Sequence, residues 1–66
     1  MTEGDTVYFT GYATKGATVS ESDPPIGAQG RVIRPNVDSN SFARVEFDGY
    51  GSVFLMRENE LSSEEP

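Results

Sequence analysis

The chain has no cysteine, no histidine and no tryptophan. Without cysteine there is no disulfide to staple so small a chain and no thiolate to hold zinc, and without histidine there is no imidazole ligand. Serine, threonine and tyrosine hydroxyls are present, but a hydroxyl nucleophile needs a neighbouring base. The one lysine, Lys15, stands alone in a polar stretch. No Asp-x-Asp-x-Asp-Gly loop offers the converging oxygens that calcium or magnesium requires. The expectation is therefore a protein that is not an enzyme and uses neither cofactor nor metal.

Long apolar runs are missing too. Nothing approaches the ~20 residues of a membrane-spanning helix, and the opening Met1-Thr2-Glu3-Gly4-Asp5 is unlike the basic-then-apolar start of a leader. The absence of cysteine suits a reducing compartment, so the expected location is the cytoplasm. Positive charge is scarce: eleven acidic residues stand against five basic ones, for a net charge of −6. A nucleic-acid binder gains by releasing counterions from phosphates, whereas a chain of this sign brings like charges together, which argues against direct nucleic-acid binding.

At 66 residues the chain is expected to form one domain, with 1–3 and 62–66 frayed. Alternation places Val7 and Phe9 on one face of a first strand, Asp5 to Thr10. A long polar loop follows from Gly11 to Gly27, ending in Ser22-Asp23-Pro24-Pro25, with Val19 and Ile26 expected to pin it inward. Gly30 to Arg34 reads as strand two, stopped by Pro35, and Phe42 to Phe47 as strand three.

The most informative stretch is Val45 to Leu55, two alternating runs joined through Asp48-Gly49-Tyr50-Gly51, the pattern of a β-hairpin. Its loop length decides which side chains face inward on strand four. A three-residue loop, Gly49-Tyr50-Gly51, puts Val53 and Leu55 inward, and a two-residue loop puts Phe54 and Met56 there. The three-residue form, with Gly51 left-handed, is the expectation. Arg57 to Leu61 then reads as one helical turn that drops Leu61 onto the end of the core.

The order Gly4-Asp5-x-Val7, then Gly27-x-x-Gly30-x-Val32, then Val45-x-Phe47-Asp48 and a final Arg57-Glu58-Asn59-Glu60-Leu61 resembles the SH3-like small-barrel superfamily. Among its families, KOW-type domains and the variable subunit of ferredoxin–thioredoxin reductase are similar in the C-terminal part. The resemblance covers most of the chain and implies an all-β fold: a small SH3-like barrel of four to five short antiparallel strands, a long loop after strand one and a short helical turn near the C-terminus. It implies little about ligand, because these are fold-level positions. The acidic balance departs from the RNA-binding members.

Two surfaces then become candidates. In the three-residue register, Ile33, Phe42, Phe54 and Met56 point outward among Arg31, Arg44 and Glu46. Contiguous exposed apolar, aromatic and arginine side chains of this kind mark protein contact sites. The partner-binding residues of this reading are Ile33, Phe42, Arg44, Phe54 and Met56. Tyr8, Tyr12 and Tyr50 offer a weaker aromatic groove for a proline-rich peptide. The leading function is thus a non-catalytic acidic protein-binding module, a small subunit or regulator of a larger complex. The alternative is a nucleic-acid-mimicking inhibitor, as phage anti-defence proteins are, presenting Glu46, Asp48, Glu58 and Glu60 to a basic nucleic-acid site on a protein partner. A third reading, direct nucleic-acid binding, requires Arg31, Arg34, Arg44 and Lys15 to cluster.

Overall fold

A computed structural model describes residues 1–13, 16–38 and 40–65. Among them run five strands: β1 (Thr6–Phe9), β2 (Gln29–Arg34), β3 (Ala43–Phe47), β4 (Val53–Met56) and β5 (Leu61–Ser62), with a single 3-10 turn, Glu58–Glu60, between the last two. They form one antiparallel sheet in the order β4-β3-β2-β1-β5. The protein is all-β, with β4 and β5 at the two edges. Ser62, expected at the start of a frayed tail, pairs with Tyr8.

Period-two alternation produces the core. On β1 Val7 and Phe9 turn inward, on β2 Val32, and on β3 Ala43, Val45 and Phe47, and all six are buried. Gly30 also faces inward, where a Cβ would lie 2.8 Å from the Phe47 ring and 2.9 Å from the Glu46 carbonyl oxygen. Only glycine lets β2 and β3 approach this closely with a phenylalanine across the gap.

The hairpin corrects the expected register. Val45 pairs with Phe54 and Ala43 with Met56, so Phe54 and Met56 face inward, while Val53 and Leu55 are 47% and 59% exposed. The reason is parity. The connection is the four residues Asp48 to Gly51, and an even loop turns β4 over relative to an odd one. Its tight turn lies one step earlier than expected: the Tyr50 amide donates to the Phe47 carbonyl at 3.1 Å, and Gly49, with φ 86°, is the left-handed residue. Met56 is fully buried, and Phe54 packs edge-to-face on Phe47 with ring centres 5.8 Å apart.

The long loop is held by different residues from those expected. Val19 and Ile26 are exposed at 36% and 65%, whereas Pro24 is fully buried. Asp23, immediately before it, is held through its carbonyl, which accepts from the Tyr50 hydroxyl at 3.3 Å, and Tyr12 stands beside its carboxylate. Tyr12 lies edge-to-face on Phe9 at 5.1 Å and Tyr50 on Phe54 at 5.8 Å. The loop thus returns to the core through two tyrosines and a proline. Leu61 packs against the core, where the sequence reading placed it.

Candidate functional site

Inverting β4 rebuilds the outer face of the sheet. The β3–β4 ladder pairs Glu46 with Val53 and Arg44 with Leu55, and its next outward step falls at Phe42 and Arg57. There the Arg57 guanidinium carbon lies 4.9 Å from the centre of the Phe42 ring, a cation–π contact at the end of the hairpin. On the other side of β3, Arg31 pairs with Glu46 and Arg34 with Arg44. The register shifts between Val32 and Arg34, a bulge that leaves Ile33 and Arg34 both exposed opposite Arg44.

Three rows result. Arg31, Glu46 and Val53 form one, Ile33, Arg34, Arg44 and Leu55 the next, and Phe42 with Arg57 closes the end. Ile33, Phe42, Val53 and Leu55 are 40–59% exposed. Four of the five basic residues stand in these rows, and of the eleven acidic residues only Glu46 does. The fifth basic residue, Lys15, lies outside the described residues.

Ile33, Phe42 and Arg44 are therefore on the outer face, as the sequence reading placed them. Phe54 and Met56 are not: Met56 belongs to the core and Phe54 is half-buried against it, and Val53 and Leu55 take their places outside. A feature the sequence reading missed is the bulge at Ile33, which sets Arg34 beside Arg44. Its only trace in the sequence is a break in alternation, Val32-Ile33-Arg34, just before Pro35.

The acidic set divides. Glu46 and Asp48 line one shallow polar depression with Arg31, Thr6 and Gln29, about 250 Å³ in volume. Glu58 borders another with Asp5 and Leu61. Glu60 is buried, 4% exposed, which removes it from any acidic surface. One of its carboxylate oxygens accepts from the Arg57 amide at 2.7 Å and the other from the Ala13 amide at 3.0 Å, while its own amide donates to the Arg57 carbonyl at 3.0 Å. Glu60 is a structural clamp that ties the 3-10 turn to the start of the long loop.

The same reciprocal tie closes two other four-residue turns. Asp5 accepts from the Thr2 amide at 2.8 Å and Asp23 from the Ser20 amide at 3.0 Å, each returning its own amide to the carbonyl three residues back. The Thr2 amide holds the Asp5 carboxyl below its ordinary pKa. Asp23 is lowered in the same way by the Ser20 amide first, then by the Ser20 and Tyr12 hydroxyls. Tyr12 is raised, chiefly by burial and then by its hydrogen bond to Asp23. The spacing Thr2-x-x-Asp5 and Ser20-x-x-Asp23 was the sequence signal for these turns.

The chain matches no family model, no curated protein and no solved structure. Tyr12 and Tyr50 close on the chain's own Asp23, and Tyr8 lies apart beside Ile26 in a different depression, so the three tyrosines do not form one groove. Among the described residues no group of three or more carboxylates converges as metal ligands would, and no helix is long and apolar enough to cross a membrane.

Proposed function

We propose that the protein is a non-catalytic protein-binding module, a small subunit or regulator, that docks through the outer face of β2, β3 and β4. The observation that carries this is the β3–β4 register, which sets Val53 and Leu55 outside in rows with arginines and Phe42. Aromatic and arginine side chains are enriched in interface cores, and exposed aliphatic groups among them supply the apolar area that docking removes from water. The strand order and the long first loop support the finer likeness to SH3-like small barrels, a fold class that hosts many functions and selects none.

The nucleic-acid-mimic reading has less support, because Glu60 is internal and Glu58 lies apart from Glu46 and Asp48, which share their depression with Arg31. The test is recovery of partners from an extract of the source organism by wild type and by Val53→Ser/Leu55→Ser. The expected result is loss of a specific partner with an unchanged melting temperature. Equal recovery by both would reject the face as the docking site.

A further inference from the structure

We infer that this face takes an acidic protein surface with an apolar flank. The inference rests on the docking reading above and adds the chemistry of the partner. It starts from a conflict within the fold. Arg34 and Arg44 are directly opposed across β2 and β3, an arrangement that destabilises a sheet, and Ile33 and Leu55 are left exposed in the same row. The arginine pair costs the fold, and the exposed parts of Ile33 and Leu55 bring it no burial. Local rules are broken in this way where a surface serves a ligand.

The charge pattern selects the ligand class. Arg31 and Arg34 on β2, Arg44 on β3 and Arg57 just after β4 stand beside Val53 and Leu55 on the edge strand, with Glu46 as the only carboxylate in the rows. Guanidinium groups pair bidentately with carboxylates, and Val53 and Leu55 match an apolar flank beside them. A nucleic acid fits less well. A duplex carries a charge about every 1.7 Å and continues past the footprint of a molecule only 27 Å in its longest dimension. It would run from the arginines onto the acidic remainder of a chain with net charge −6. An acidic patch on a protein ends where the arginines end, and the unequal charge distribution of this chain orients the encounter.

The test uses the isotopically labelled full chain and three defined probes: a short synthetic peptide alternating glutamate and leucine, the same peptide with lysine for glutamate, and a short DNA duplex. The expected result is that the glutamate peptide shifts backbone amides of β2, β3 and β4 in a saturable way, with affinity falling as salt rises. Arg34→Glu/Arg44→Glu should weaken it at least about tenfold without lowering the melting temperature, and Glu46→Gln should tighten it. Equal or tighter binding of the lysine peptide to this face would overturn the acidic chemistry while leaving the docking face intact. Tighter binding of the duplex would replace the protein partner by a nucleic acid. If no probe shifts this face the inference fails, and the docking reading then stands or falls separately on the Val53→Ser/Leu55→Ser recovery experiment.

Discussion

Three residues concentrate the demands of this small core, and each carries a distinct expectation. Val45 is fully buried at the centre of β3, so Val45→Asp places an unpaired carboxylate where several kcal/mol of desolvation has no compensation. The domain should lose its cooperative melt. Gly30→Ala pushes a methyl group against the Phe47 ring and the Glu46 carbonyl, and overpacking of this kind costs about 1–3 kcal/mol. Its denaturation midpoint should fall with the slope unchanged. Glu60→Ala strips the Arg57 and Ala13 amides of their acceptor, with an expected loss of about 2 kcal/mol or more and early proteolysis in the long loop. Val45 was legible in the sequence because alternation around it is regular. Glu60 was not, because a carboxylate three residues after an unremarkable Arg57 looks like any exposed acid until its amide partners are seen. Net charge invites the reading that every acid is surface, and one buried carboxylate satisfied by two amides defeats it.

The hairpin and the long loop set which side chains the elements around them bury. Alternation and turn residues place β1, β2 and β3 to within a residue, yet the face of β4 was not legible, since Val53-Phe54-Leu55-Met56 is apolar at every position and offers no contrast to read. Loop length was the only guide, and Asp48-Gly49-Tyr50-Gly51 admits more than one turn. Phe54→Ser should therefore destabilise the fold, by about 2 kcal/mol for a half-buried ring packed on Phe47 and Tyr50, while Leu55→Ser should not. Thermal melts of the two variants measure this ranking directly. The long loop was read correctly as a loop but with the wrong anchors, because Val19 and Ile26 looked more apolar than Asp23 and Pro24. The Asp23 tie titrates. Its carboxyl is lowered in the folded state, so its contribution is complete above the ordinary aspartate value of 3.8 and is lost as pH falls through the lower folded value. Tyr12 is raised, so its contribution is complete below 10.0 and is lost as pH rises through the higher folded value. Between those limits the loop's protection from proteolysis should be flat. Asp23→Asn should remove the acid-side change.

For the whole molecule the governing fact is that charge is segregated and not merely acidic. The net value of −6 hides a face on which four arginines meet one glutamate. Composition revealed the sum but not the separation, which depends on strand register and on the bulge at Ile33. Raising the salt from 0.1 M to 1 M shortens the screening length from ~10 Å to ~3 Å, so a partner held by this face should bind more weakly as salt rises. It should retain the part of the affinity that comes from Val53 and Leu55. The opposed arginines add a second expectation: Arg44→Glu should raise stability slightly, by about 0.2–1 kcal/mol, because it turns a like-charge cross-strand pair into an opposite one. A stability that rises while binding falls is the signature of a residue kept for docking.

The absence of cysteine allows the central claim to be measured at single positions. Cysteines placed one at a time at 53, 54, 55 and 56 can be labelled with a thiol reagent, first in the purified protein and then in an extract of the source organism. The account predicts fast labelling at 53 and 55 and slow labelling at 54 and 56 in the purified protein, with 53 and 55 alone slowed in the extract. Fast labelling at 54 and 56 with slow labelling at 53 and 55, or rates at 53 and 55 that the extract leaves unchanged, would contradict it.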